Sequence, residues 1–167
     1  HVARTAAKTL NHPFLLCNQI GGNDDLLFDG RSLVAWPSGE VVVAPSWTEG
    51  ILLVDIQQPS ATRWISLNDS EVELLHVAAN ETGEGREEVL EELADAVVLG
   101  LRDYCQKSGI ERIVLGLSGG IDSAVAACVA AEAVGAENVL GLSMPSRFSS
   151  QHSIDDAQHT ANALGLE

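Results

Sequence analysis

Basic residues are scarce in this sequence. Its 167 residues hold 9 Lys and Arg against 24 Asp and Glu, a formal charge of −15. A nucleic-acid surface needs clustered Lys and Arg to neutralise phosphates, so that class is excluded. Long apolar runs are also missing. No stretch approaches the roughly 20 apolar residues that a membrane helix requires. No basic segment leads into an apolar run and a small-residue cleavage site, so no signal peptide is visible. Cysteine is confined to Cys17, Cys105 and Cys128. They form no C-x-x-C pair and sit in apolar surroundings, which predicts reduced, buried thiols in a cytoplasmic protein. The thiols have no partner at metal-ligand spacing, and neither do His1, His12, His76, His152 and His159. The last two, seven residues apart, are expected at the surface or at caps.

Apolar residues are plentiful. They make up 46% of the chain, too many for a disordered segment and enough for a packed core. The length suits one domain or parts of two. Acidity is unevenly spread: residues 51–109 carry 12 acidic and 4 basic side chains. Much of that density falls between Glu81 and Asp103.

The hydrophobic rhythm changes twice along the chain. Residues 1–11 read as the end of a helix closed by Asn11-His12-Pro13. Phe14 to Ile20 reads as a buried strand, and Gly21-Gly22-Asn23-Asp24 as a turn. Leu26–Phe28, Ser32–Trp36, Glu40–Ala44 and Ile51–Ile56 follow as short strands with Gly and Pro turns between them, a hairpin series. Trp36, Trp47 and Trp64 are expected to pack hydrophobic surface. Residues 57–85 are weakly patterned and read as a connector, with a short strand near Trp64 and a helical turn or two in Glu71–Ala79. Residues 86–107 predict a helix. Val89, Leu90, Leu93, Ala94, Val97, Leu101 and Tyr104 form one stripe, acidic residues crowd the first turns, and Gly109 ends it. From residue 110 the order is β, α, β, α. The strands are Ile110–Leu117 and Asn138–Met144, and the helices Ile121–Val134 and Ser153–Leu164. Such alternation predicts a parallel sheet with right-handed crossovers.

One segment carries recognisable chemistry: Gly116-Leu117-Ser118-Gly119-Gly120-Ile121-Asp122-Ser123, between a strand and a helix start. Adjacent glycines let the backbone approach an oxyanion. The helix start directs unpaired N–H groups and its positive dipole end at the same point. Ser118 and Ser123 add hydroxyl donors. A carboxylate such as Asp122 would repel bare phosphate, unless it bridges through Mg²⁺. The loop lacks the Gly-Lys-Ser/Thr ending of a P-loop and the G-x-G-x-x-G of a dinucleotide fingerprint. The bland competitor is a glycine-rich βα turn with Asp122 as a helix-start residue.

The run Ser118-Gly119-Gly120-Ile121-Asp122-Ser123 resembles the PP-loop of N-type ATP pyrophosphatases. Met144-Pro145-Ser146-Arg147-Phe148-Ser149-Ser150, followed by Ser153-Ile154-Asp155-Asp156-Ala157, is similar to NAD⁺ synthetases of the glutamine-dependent form. Phe14 to Ser32 is similar to the latter part of their nitrilase-like glutaminase domain. The fold implied is α/β: the C-terminal edge of a nitrilase-like αββα sandwich (residues 1–56), a connector (57–85), and the start of a Rossmann-like parallel-sheet ATP pyrophosphatase domain (86–167). The resemblance implies ATP held by residues 116–123 and Arg147, with Mg²⁺ on Asp122. Arg147 could instead pair with Asp155 or Asp156. The implied reaction adenylates deamido-NAD⁺ and amidates it with ammonia from glutamine, in a cytoplasmic homo-oligomeric enzyme. The glutaminase Glu-Lys-Cys set is expected upstream of His1. Cys17 is rejected as its nucleophile, because Asn18-Gln19 follow it where the family has acidic residues, and because its strand reads as buried. The 167 residues alone are expected to be inactive. The alternatives are another PP-loop amidotransferase, a nucleotide-binding module without chemistry, or an inert piece.

Overall fold

A computed structural model describes residues 1–67, 74–77 and 86–167. They form two compact units, His1–Leu90 and Glu91–Glu167.

In the first unit, helix α1 (Val2–Leu10) ends at Asn11 in the left-handed conformation (φ 52°), which turns the Asn11 and His12 N–H groups back onto the Lys8 and Ala7 carbonyls. A four-stranded antiparallel sheet follows in the order β1-β4-β5-β8 (Phe14–Leu16, Leu33–Ala35, Val41–Val43, Leu75–Val77). Strand alternation sorts its side chains by face. Ala35 and Val41 pack with Ala7 of α1, supported by Ala3, Phe14, Leu33 and Val43. Val34, Trp36 and Val42 pack on the other face with Val54 and Leu74. Trp36 also donates its ring N–H to the Ile56 carbonyl (3.2 Å). Two further hairpins complete the unit: β2–β3 (Ile20–Asn23, Leu26–Asp29) and β6–β7 (Gly50–Leu53, Arg63–Ser66). Within residues 57–85 the described part thus holds β7, paired to β6, and β8, paired to β5.

Several expectations shift here. The expected strand Phe14–Ile20 divides into β1 and the start of β2. The glycines Gly21 and Gly22 lie inside β2, and the turn falls on Asp24-Asp25, with Asp24 at φ 57°. Of the expected turn Gly21-Gly22-Asn23-Asp24 only Asp24 lies at the turn, since a short-chain Asp tolerates the left-handed region and β3 pairs with the glycines. The helical turn expected in Glu71–Ala79 is strand β8 at Leu75–Val77; the other residues of that stretch, except Leu74, lie outside the described set. Cys17 is exposed rather than buried, because β1 is an edge strand whose outer residues Leu15 and Leu16 are themselves about half exposed. Cys128 is also exposed, on the face of its helix away from the core residue Ala127. Cys105 is buried as expected.

The second unit follows its expected rhythm. Helix α2 (Arg86–Ser108) stops at Gly109, whose φ of 68° lets the Ile110 N–H return to the Cys105 carbonyl. Strands β9 (Ile113–Gly116) and β10 (Val139–Leu142) pair in parallel, and α3 (Ile121–Val134) and α4 (Gln151–Leu164) follow them in turn. Leu117, Ala127 and Ala157 form the core with Leu115, Ala161, Leu164 and Leu166. The Glu167 N–H donates to Val139 and its carbonyl accepts from Gly141, the bonding pattern of a parallel neighbour on the free edge of β10. The α2 stripe is a correction. Leu90, Leu93, Val97 and Tyr104 are exposed, while α2 engages its unit from another side, through buried Cys105 and through Arg102, which donates to the Glu132 and Ala133 carbonyls at the end of α3. No helix among the described residues is long and apolar enough to cross a membrane.

Candidate functional site

The site begins where β9 ends. The Leu117 N–H donates to the Leu142 carbonyl (2.8 Å), carrying the β9–β10 ladder to the loop's first residue. Leu117 is buried, and its side chain occupies the space that a Cβ on Gly141 would need. A buried leucine therefore anchors one end of the loop, and helix α3 anchors the other.

Between the anchors, the loop is laced by two hydroxyls. Ser118 N–H donates to Ser123 Oγ (3.2 Å), and the two hydroxyl oxygens are 3.0 Å apart. Gly120 N–H donates to Ser118 Oγ (3.2 Å), and Ser123 Oγ–H donates to the Gly120 carbonyl (2.9 Å). Gly119 takes φ 78°, a conformation that disfavours any side chain. The N-cap of α3 is Gly120, so no side chain caps this helix. Its first amides are left for a ligand or water. Asp122, in the first turn, is exposed. Among the described residues, no three His, Cys, Asp or Glu stand together as a metal-binding group.

Across from the loop lies the start of α4. This helix is capped: Ser150 Oγ accepts from Ser153 N–H (3.1 Å). The preceding turn is tied by Ser146 N–H to Ser149 Oγ (2.9 Å) and Ser149 N–H to the Ser146 carbonyl (3.0 Å). An open cavity of about 130 Å³ is lined here by Leu117 and Ser118 of the loop, Ser143 to Pro145 after β10, and Ser149, Ser153 and Ile154.

The sequence-derived residues thus divide. Gly116 to Ser123 form one continuous loop, and Ser118, Gly120 and Ser123 bond one another. Arg147 is not in the cavity wall; its guanidinium lies 4.8 Å from the centre of the Phe148 ring, on an exposed turn. Asp155 accepts instead from Gln151 and Asp156 from His152, so neither pairs with Arg147. Sequence reasoning did not assign Ser143, Ser149 and Ser153 to the site. Ser149 and Ser153 lie in the quoted family-like runs, but nothing in those runs says which hydroxyls face the loop.

A larger cavity of about 470 Å³ lies within the first unit, with Leu16, Cys17, Ile51 and Trp64 in a mainly apolar wall. Its titratable residues are Cys17, Arg31 and Glu49, and no lysine lines it. Burial therefore cannot argue against Cys17 as a nucleophile.

The β9–α3–β10–α4 unit is a Rossmann-like parallel-sheet assembly with a glycine-serine loop at the C-terminal end of a strand, where α/β folds bind their ligands. Two family models match the chain: carbon-nitrogen hydrolase over residues 1–66 and NAD synthase over residues 93–167. Each model matches its own segment, and the chain spans the junction between them. It is 41% identical over 162 residues to a glutamine-dependent NAD(+) synthetase of Synechocystis sp., covering 96% of this chain and 26% of the relative. It is 44% identical over 154 residues to the enzyme of that name from Rhodobacter capsulatus, covering 92% and 26%. A solved structure of the glutamine-dependent NAD+ synthetase of Acinetobacter baumannii, in complex with ADP, superposes with a TM-score of 0.73 at 32% identity, over 99% of this chain and 29% of that one. The chain thus spans about a quarter of the length of the curated relatives it matches.

Proposed function

We propose that this chain is part of a glutamine-dependent NAD⁺ synthetase, and that residues 116–123 hold the phosphates of its ATP. The observation that carries the reading is the Ser118–Ser123 loop at the uncapped start of α3. In this reading ATP adenylates the nicotinate carboxylate of deamido-NAD⁺ and pyrophosphate leaves. Ammonia, released from glutamine, then displaces AMP to give the amide.

The residues divide the work by their chemistry. The amides of Gly119 and Ile121, that of Gly120 once it leaves Ser118 Oγ, and the hydroxyls of Ser118 and Ser123 stabilise charge that grows on the leaving pyrophosphate. The groups these hydroxyls bond in the loop are exposed, so the hydroxyls can turn outward without leaving a buried group unsatisfied. Gly116 and Leu117 anchor the loop. Arg147 offers a guanidinium on the same strand-end rim, where it can meet phosphate or adenylate. Mg²⁺ fits the donor set. This ion commonly takes one or two protein carboxylates and keeps phosphate oxygens and water as its other ligands, and Asp122 is one exposed carboxylate beside the loop. Bound there, it would neutralise pyrophosphate charge. The names of the relatives support glutamine as the nitrogen source and NAD⁺ as the product, and the ADP in the Acinetobacter baumannii structure supports a nucleotide. A cytoplasmic, homo-oligomeric enzyme completes the proposal.

The test is to supply the full protein with ATP, Mg²⁺ and deamido-NAD⁺, together with either ¹⁵N-amide glutamine or ammonium chloride. NAD⁺ should form from both sources and carry ¹⁵N from the first. No NAD⁺ from either source would refute the reading.

A further inference from the structure

Gly119 stands against helix α4. A Cβ on Gly119 would collide with the backbone of Ser153: the carbonyl oxygen is nearest, and the carbonyl carbon and Cα come at 2.8 and 2.9 Å. Loop and helix therefore meet backbone to backbone, with no flexible side chain between them to yield. Ser153 lies in the first turn of α4, where its amide has no helical partner and is held by Ser150. Its N–H donates to Ser150 Oγ (3.1 Å), and the Ser150 and Ser153 hydroxyl oxygens are 2.9 Å apart. Ser118 and Ser153 also face the same small cavity.

We propose that Ser150 is a positioning residue for the phosphate loop. By capping α4 it fixes the Ser153 backbone, and Ser153 fixes the direction in which the Gly119-Gly120 amides point. The inference rests on the reading of residues 116–123 as the ATP phosphate loop. Ser150 itself need not touch the nucleotide. Its loss lets the first turn of α4 fray, the Ser153 carbonyl retreats from Gly119, and the loop relaxes into the space. Small displacements of this kind are expensive in catalysis, because bound groups must hold their reacting geometry to well under about 1 Å.

The test uses the full protein with ammonium chloride as nitrogen source, ATP and deamido-NAD⁺ being varied in turn. Ser150→Ala should raise KM for ATP about tenfold and leave KM for deamido-NAD⁺ within about twofold. Ser150→Thr keeps a capping hydroxyl and should restore KM for ATP to within about twofold of the parent. Ser150→Gly guards against a folding failure, because glycine is a tolerated N-cap that lacks the hydroxyl; it too should raise KM for ATP. A merely structural role would lower the melting temperature and leave KM for ATP in place. The proposal is overturned if Ser150→Ala and Ser150→Gly keep the parental KM for ATP, or if both KM values rise together. Ser123→Ala separates the two readings. If it raises KM for ATP while the Ser150 variants do not, the phosphate loop stands and the positioning role falls. If the parent shows no ATP-dependent synthesis, both fall.

Discussion

The hydroxyl oxygens of Ser118 and Ser123 lie 3.0 Å apart across the turn that joins β9 to α3. Ser123 Oγ also accepts the Ser118 N–H and donates to the Gly120 carbonyl, so one side chain closes the loop from within. Ser123→Ala removes all three bonds at a site open to water. Its cost in folding should be small, about 1 kcal/mol. Its cost in ATP use should be larger, with kcat/KM falling about 10- to 100-fold, as for loss of one preorganised donor. Steady-state kinetics beside a urea melt separates the two effects. Unchanged kcat/KM would remove Ser123 from the phosphate site.

Asp122 is exposed in the first turn of α3, so the fold does not depend on it. Asp122→Asn should shift stability by no more than about 0.5 kcal/mol. The same change should raise the Mg²⁺ concentration needed for half-maximal NAD⁺ synthesis and lower the maximum rate by about 100-fold or more. A magnesium titration that superposes on the parent's would deny the carboxylate its role.

Arg102 clamps the far end of the helix whose start carries the loop. Its Nε donates to the Ala133 carbonyl (3.2 Å) and its Nη2 to the Glu132 carbonyl (3.0 Å). These are end carbonyls of α3 that lack helical partners, and a cation there also suits the helix dipole. Arg102→Ala should cost about 1–2 kcal/mol in thermal or urea unfolding. Arg102→Lys should recover only part of it, since an ammonium cannot reproduce the planar fork. Full recovery by lysine would reduce the clamp to a charge effect.

Val139 is fully buried at the start of β10, the strand that leads to the cavity wall. Val139→Ala deletes two buried carbon atoms and should destabilise the second unit by about 2 kcal/mol, from lost transfer energy and the cavity left behind. Calorimetry or a urea melt gives the number; a value near zero would mean that the strand is not packed as described.

Local signals carried much of this fold. The Ala-rich helix was bounded at Ile121 and Val134 from the pattern, and the structure has those limits. Gly109 and Asn11 ended their helices where the sequence put them. The loop at Ser118 was legible because six adjacent residues carry it. What escaped were features set by distant contacts. Gly21 and Gly22 lie in a strand because β3 pairs with them. Leu75–Val77 form a strand because Val41–Val43 offer an edge. The contact of Gly119 with Ser153 joins residues 34 positions apart, and no local rule connects them. The α2 stripe has the period of a packed helix, yet periodicity does not say which partner covers it.

The proposed role of this loop is cleavage of ATP between its α- and β-phosphates. The most direct measurement is the nucleotide product formed by the full protein from ATP, deamido-NAD⁺ and ammonium chloride, resolved by ³¹P NMR. AMP and pyrophosphate should appear in equal amounts with NAD⁺, and all three should form more slowly with Ser123→Ala. Formation of ADP and orthophosphate in step with NAD⁺ would contradict it.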